Sequence, residues 1–300
     1  MSHPSPSPEL SQWQCLLKNL GVWEGSFTRL SPAGVEVSNV PTVVTLEGLN
    51  QNQTIRQTLE FGTSTTGDPP TTKVLEYSSL NRSTLFFETG AFSQGSLQFS
   101  PFGEFGAELG FIAGDSRSIR ASGAAHFPFG NRRMRLVELF HGADGESRLS
   151  SLTLIRETLR GSAAAERPPL TAEQLVGTWH GRAVTLYPDW RSPETYSTTL
   201  SISLDGTQLQ QHLSAPGLSL STTGTVTPTA IHFTQGSTPL QLLLLPDGAS
   251  ANTPLVIPKG KPFFLEAGWL ISPTRRQRMI RRYDAQGGWE SLTLVEEEKG

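Results

Sequence analysis

The sequence predicts an all-β protein made of two tandem antiparallel β-barrels, each preceded by a short helix. Three observations lead there. Most of the chain alternates apolar and polar residues over short runs broken by Gly, Pro, Asn and Asp. Each half holds roughly eight to ten such runs, the spacing of sandwiches and barrels. Four landmarks also recur in the same order in both halves, which points to an internal duplication. Closing such a strand set into a barrel removes its unpaired edges, and a barrel of about eight to ten strands has room for one small ligand where side chains do not fill it.

The elements follow in order. "SPELSQWQCLLKNLG" puts Leu10, Trp13, Leu17 and Leu20 on one helical stripe, with Ser7 as N-cap and Pro8 at the first helical position. "LGVWEGSF" then opens a strand with Gly21, Trp23 and Gly25. "VEVSNVPTVVTLEGLNQNQTIRQTLEF" reads as a hairpin turning at Asn50-Gln51-Asn52. The half closes with "ELGFIAG" from Glu108, "RMRLVELF" from Arg133 to Phe140, and "SLTLIRE" from Ser151. Residues 1–159 form the first expected domain, and "RGSAAAERPPL", Arg160 to Leu170, is the linker.

The second domain, 171–300, repeats the plan. "LTAEQLVG" has a capping box, Thr171 with Gln174, and a staple of Leu170 with Leu175. "LVGTWHGRA" supplies Gly177, Trp179 and Gly181, and "STTLSISLDGTQLQQHLSA" is a hairpin turning at Asp205-Gly206. "EAGWLIS" from Glu266, "RQRMIRRY" from Arg276 to Tyr283, and "SLTLVEE" from Ser291 answer the endings of the first half.

Composition excludes several classes. A net charge of −3 and a pI of about 6.1 give no basic field for nucleic acid or anionic lipid. Cys15 is the sole cysteine, so no intrachain disulfide forms, and a reducing, cytoplasmic location is expected. The opening "MSHPSPSP" lacks the pattern of a secretory signal, and runs such as "LQLLLLP" are too short for membrane insertion. His3, His126, His141, His180, His212 and His232 show no metal-ligand spacing, no phosphate-binding or nucleophile motif occurs, and "GDSRS" at Gly114 reads as a turn. No cofactor is required on this reading.

One segment stands out. "RRQRMIRRY" packs Arg275, Arg276, Arg278, Arg281 and Arg282 into eight residues. As a strand, one face carries Arg276, Arg278, Ile280 and Arg282, and the other carries Arg275, Gln277, Met279, Arg281 and Tyr283. In the first repeat, Met134, Leu136, Glu138 and Phe140 share the face equivalent to Arg281 and Tyr283. That apolar face is expected inside, which puts Glu138 in one barrel and Arg281 with Tyr283 in the other. The opposite choice brings Arg276 and Arg278 inward, and alternation does not decide between them. A buried cation needs an anion, and a ligand carboxylate suits a guanidinium fork. The plainer alternatives are an exposed strand coated with arginine, or a local nucleic-acid tract. Glu138 and Glu266 are weak candidates for proton donors to a bound ligand.

Gly-x-Trp on the first strand after a short helix resembles the lipocalin signature, and both halves carry it. Trp23 and Trp179 are accordingly expected as structural plugs at the closed barrel ends. "EAGWLISPTRRQR" resembles the late strands of S-type phycobiliprotein chromophore lyases, through Glu266, Trp269, Ser272, Pro273, Arg276 and Arg278. In the first half Phe111 replaces the Trp, Gly114-Asp115 replaces Ser-Pro, and "ASGAAHFPFGN" is inserted. Over nearly its full length the chain resembles an uncharacterised cyanobacterial and plastid family of duplicated calycins, which implies lipocalin- or fatty-acid-binding-protein-like barrels. Arg281 with Tyr283 is similar to the carboxylate anchor of the intracellular fatty-acid-binding proteins. The implied function is binding of a small hydrophobic ligand with an acidic end, such as a bilin, a carotenoid derivative or a fatty acid. Arg276, Arg278, Arg281, Tyr283 and Trp269 are the expected ligand residues. A bilin lyase or chaperone acting on phycobiliprotein subunits, and a protein-binding scaffold with filled barrels, are the alternatives.

Overall fold

The computed structural model describes residues 10–63, 65–113, 130–162, 164–235 and 238–300. The expectations for Ser7, Pro8, Gly114-Asp115, His126 and most of the "ASGAAHFPFGN" insertion fall outside these residues.

In the N-terminal half, α1 (Gln12–Leu16) runs into a 3-10 turn (Leu17–Asn19). There follow β1 (Gly21–Leu30), β2 (Glu36–Leu49), β3 (Thr54–Phe61), β4 (Thr71–Tyr77), β5 (Thr84–Phe86), β6 (Phe92–Gly95), β7 (Gly103–Ala113), β8 (Arg132–Ala143) and β9 (Glu146–Leu159). The C-terminal half begins with α2 (Ala172–Leu175), β10 (Gly177–Leu186), β11 (Glu194–Asp205), β12 (Gln208–Ala215), β13 (Leu218–Val226), β14 (Ala230–Phe233) and β15 (Leu240–Leu244). It ends with β16 (Ala249–Pro254), β17 (Val256–Pro258), β18 (Phe263–Ser272), β19 (Arg275–Tyr283) and β20 (Trp289–Lys299).

The protein is all-β, as the alternation requires. Ten antiparallel strands, β10 to β16 and β18 to β20, close into a barrel, with β10 paired to β20. The N-terminal strands form a curled sheet in the order β4-β3-β2-β1-β9-β8-β7-β6-β5 that stays open between β4 and β5. A helix stands at that opening. The Gln12 side-chain amide donates to Phe86 O at 2.8 Å and accepts from Phe86 N–H at 2.6 Å, mimicking a neighbouring strand at the β5 edge. The Trp13 indole donates to Asn52 O at 2.7 Å.

Local signals behave as their chemistry demands. Asn50, Gln51 and Asn52 all have positive φ in the β2–β3 turn, and Gly206 (φ 56) turns β11 into β12. The first helix starts later than expected: Ser11 rather than Ser7 caps α1, with Gln14 N–H donating to its hydroxyl at 3.2 Å and the Gln14 side chain closing on the Ser11 N–H at 2.8 Å, so this capping box sets the start and Leu10 lies before the helix. Gln174 accepts from Thr171 N–H at 2.9 Å, and Leu170 and Leu175 are both buried. Gly21 (φ 136) and Gly177 (φ 129) adopt backbone angles that side chains resist, and this accounts for the glycine of each Gly-x-Trp, where the chain leaves the helix and enters the sheet.

The core lies between the halves as well as inside them. One apolar cluster joins Leu109, Phe111, Met134, Leu136, Phe140 and Leu154 of the first half to Leu243, Ala251, Leu265, Ala267, Met279 and Leu294 of the second. The two sheets therefore pack outer face to outer face, and β7 to β9 and β18 to β20 are buried on both sides. Backbone bonds stitch the halves together: β17 pairs with β9, Phe99 N–H donates to Gly287 O at 2.6 Å, and Trp289 N–H donates to Leu97 O at 2.8 Å. Among the described residues, 161–170 form no helix or strand, but Leu170 N–H donates to Leu245 O at 3.0 Å, fastening the linker to the barrel.

Candidate functional site

The arginine strand β19 sends its two faces to different places. Arg276, Arg278, Ile280 and Arg282 point into the barrel lumen, while Met279, Arg281 and Tyr283 point out of it, into the core between the halves. The expectation that the Met/Leu/Phe face is luminal is thus corrected in both repeats. That face is apolar because it is buried against the other sheet. Glu138 accordingly lies in the interface core rather than in a barrel.

The luminal arginines are ion-paired, and the arrangement occurs twice. Arg276 Nε donates to Glu297 Oε2 at 2.7 Å, Arg278 Nη2 to Glu297 Oε1 at 2.9 Å, and Arg278 Nη1 to Glu266 Oε1 at 3.1 Å. In the first half, Arg133 Nε donates to Glu157 Oε2 at 2.7 Å, Arg135 Nη2 to Glu157 Oε1 at 3.1 Å, and Arg135 Nη1 to Glu108 Oε1 at 2.8 Å. The register causes this, since Arg276 sits opposite Glu297 and Arg133 opposite Glu157. Each outer guanidinium also stacks on a tryptophan, Arg133 4.6 Å from the Trp23 ring centre and Arg276 4.6 Å from that of Trp179. Both tryptophans are buried, and their indoles donate to Asn19 O at 2.9 Å and Leu175 O at 2.8 Å.

Burial alone would push the pKa of Glu297 up, but Arg278 and Arg276 more than offset it and hold the carboxylate below its ordinary value. Glu157 is depressed in the same way, burial being outweighed by Arg133 and Arg135. Arg278 is raised, because Glu297 and Glu266 overcome the opposing effect of burial.

Above the Trp179 end, the barrel encloses a cavity of about 630 Å³. Its wall is mainly apolar, through Leu200, Ile202, Leu209, Leu213, Ile231, Phe233, Leu242 and Val295. A band of hydroxyls crosses it, with Thr185 Oγ1 2.8 Å from Thr293 Oγ1 and 3.4 Å from the Tyr196 hydroxyl. The mouth carries Tyr187 with the Arg191 guanidinium 3.6 Å from its ring centre, and Arg282 with Glu290 at 3.7 Å. Among the described residues, the equivalent space in the first half holds packed side chains, including Val44, Leu46, Ile55, Phe86, Phe92 and Ile112 around Trp23.

The remaining expected ligand residues are elsewhere. Arg281 is fully buried, and it donates to the Tyr283 hydroxyl at 2.7 Å, Ser93 Oγ at 3.0 Å and Ser96 O at 3.0 Å. Its guanidinium lies 3.5 Å from the Trp289 ring centre. Tyr283 donates to Ser96 O at 2.8 Å. Together they clamp the N-terminal sheet onto the barrel. Burial lowers the Arg281 pKa against the pull of Tyr283, and burial raises that of Tyr283. Trp269 belongs to the same core, its indole donating to Asp247 O at 3.0 Å. Of the five residues expected around a ligand, the structure brings Arg276 and Arg278 to the lumen together, with Glu266 beside them, leaves Tyr283 at the edge of the cavity wall with its hydroxyl turned to the first half, and turns Arg281 and the Trp269 indole away.

Sequence reasoning passed over Glu108, Glu157 and Glu297, the carboxylates that neutralise the luminal arginines. The signal was present: the three close "SLTLIRE" and "SLTLVEE" or open "ELGF", at matching points of the repeat. Among the described residues no group of three or more His, Cys, Asp or Glu side chains is placed to hold a metal ion, and no helix is long and apolar enough to cross a membrane.

Residues 9–162 match the family described as domain of unknown function DUF3598, N-terminal, and residues 166–300 match the domain described as biogenesis factor required for ATP synthase 1, C-terminal. A protein of unknown function from Nostoc punctiforme, itself of the DUF3598 family, is 46% identical; the match covers 97% of this chain and 100% of that one, with a TM-score of 0.86. An S-type phycobiliprotein lyase from Guillardia theta is 12% identical over 43% of this chain and 90% of that one, with a TM-score of 0.35, a likeness too slight to speak to activity. No curated protein matches the chain in sequence.

Proposed function

The chain belongs to the DUF3598 family, and from that premise we propose that it is a non-catalytic assembly factor that holds a subunit of ATP synthase while the complex is built. The observation that carries this is the match of residues 166–300, which include the whole closed barrel, to a domain described as a biogenesis factor required for ATP synthase. Two structural features support it. The luminal arginines of both halves are engaged in internal ion pairs and stacks, as suits a scaffold. A groove of about 610 Å³ between the helix end of the first half and the β10–β11 connection is also lined by Leu10, Phe86, Tyr187, Arg191 and Trp190. Trp190 is 49% exposed and has a φ of 65°, a left-handed conformation costly for a bulky residue and commonly kept where it serves binding. Trp, Tyr and Arg side chains are enriched among the residues that dominate binding at protein interfaces, and here the exposed Trp190 stands beside Arg191 and the buried Tyr187.

The test is capture of each soluble ATP synthase subunit by the purified full chain. One subunit is expected to be retained, and Trp190→Ala is expected to weaken retention at least tenfold. Retention of none of the subunits refutes the proposal. A second reading, ligand carriage in the C-terminal lumen, is favoured by the 630 Å³ cavity.

A further inference from the structure

We infer that the lumen of the closed barrel takes an uncharged, largely apolar small molecule bearing a carbonyl or hydroxyl, rather than one with an acidic end. This rests on the second reading above, that the lumen binds a ligand, and names the class of that ligand.

The argument begins with charge. Arg276 and Arg278 share Glu297, Arg278 also holds Glu266, and Arg282 holds Glu290 at the mouth. The first two arginines and Glu297 are almost wholly shielded from water. A ligand carboxylate entering there must compete with Glu297 and Glu266, which are already held by the same guanidinium forks. Displacing either leaves a desolvated anion without a partner. The cations that suggested an acidic ligand are therefore committed. An added negative charge meets guanidiniums that each already face a carboxylate, Arg191 pairing with Asp189 at 3.5 Å, and the unpartnered Arg276 Nη2 is fully buried beside Trp179, so little is left to offset the loss of hydration.

The wall offers instead what a neutral ligand uses. Its body is lined by leucine, isoleucine and phenylalanine side chains, and the volume suits one drug-sized molecule. The hydroxyls of Thr185, Tyr196 and Thr293 can each donate or accept, so a single ligand carbonyl or hydroxyl finds a partner at that band whichever it is. Thr198 Oγ1 and Asn252 Oδ1, on two further lining residues, have no hydrogen-bond partner but are fully buried. The first half carries the same ion-paired triad around Trp23, yet packs that space with phenylalanine and aliphatic side chains. The triad is thus a structural feature common to both repeats. The cavity belongs to the second repeat.

The experiment titrates the purified full chain with two fluorescent probes that share one skeleton, neutral N-phenyl-1-naphthylamine and its anionic relative 1-anilinonaphthalene-8-sulfonate. The neutral probe is expected to bind at least tenfold more tightly. Leu213→Trp and, separately, Gln211→Trp, both half-buried lining positions on β12, are expected to reduce its affinity at least tenfold while the melting transition is retained. Equal or tighter binding of the anionic probe, lost in the same variants, overturns this inference but leaves the lumen as a binding site. Absence of binding by both probes, or binding of the neutral probe unchanged in whichever of the two variants folds, overturns the lumen reading itself.

Discussion

Replacing Glu138 with glutamine is expected to make the protein more stable, and increasingly so as the pH rises. Glu138 is completely buried in the core between the two sheets. Neither of its carboxyl oxygens has a well-formed hydrogen bond; the Thr253 hydroxyl is close enough to interact weakly with the carboxyl while donating to Pro254 O at 3.5 Å. Burial pushes its pKa from 4.5 up to about 8; the Thr253 hydroxyl pulls the other way and the charge of Glu266 adds to the push. Below pH 4.5 the folded and unfolded chains both carry the proton, and stability is undiminished. Between 4.5 and about 8 only the unfolded chain ionises, so stability falls as pH rises, and the loss is complete once the folded group ionises too. Each pH unit in that window is worth about 1.4 kcal/mol, which gives roughly 5 kcal/mol as an upper bound for the whole span. Glutamine keeps the volume and removes the titration. Urea unfolding of both proteins at several values between pH 5 and 8 measures the difference directly, because the other titrating groups cancel in the comparison. The variant's advantage should grow by roughly 3–4 kcal/mol across that interval. A difference that stays flat, or shrinks as pH rises, refutes the assignment of Glu138 as a neutral buried acid.

Two further outcomes are expected. Glu297→Gln leaves Arg276 and Arg278 with Glu266 as their one remaining carboxylate and should cost about 3–5 kcal/mol in denaturant unfolding, with Glu157→Gln costing a similar amount in the other half. Because one apolar cluster spans both halves, cleavage between residues 161 and 170 should give two fragments that elute together and melt in one transition, and fragments that separate under native conditions would contradict the shared core.

The sequence made the strands, the hairpin at Asp205-Gly206 and the duplication legible, because each rests on local chemistry. It did not reveal which way β8 and β19 face. Period-2 alternation separates two faces but labels one as inside only when the other meets water. Here Met279 and Arg281 on one face and Arg276 and Arg278 on the other are all removed from solvent, or nearly so. The apolar face was read as luminal, whereas its partner is a second sheet nearly a whole half-chain away in sequence. The open edge between β4 and β5 was equally hidden, since the Gln12 contact that occupies it is a long-range hydrogen bond with no periodic signature. The ion-paired triads were half visible: the arginines drew attention by density, while each glutamate lies on a neighbouring strand and becomes a partner only through register.

The outer-face packing of the sheets has a consequence for how the protein comes off the ribosome. The N-terminal sheet is made first, yet Met134, Leu136 and Phe140 are covered by a surface that includes Leu292 and Leu294 on the last strand, β20. At ordinary elongation rates that surface arrives roughly 7–30 s later. Throughout this interval the nascent chain presents an apolar β-surface with nothing to cover it, which is the kind of segment chaperones bind. The same strand closes the barrel by pairing with β10, so maturation of both halves waits on a single late event.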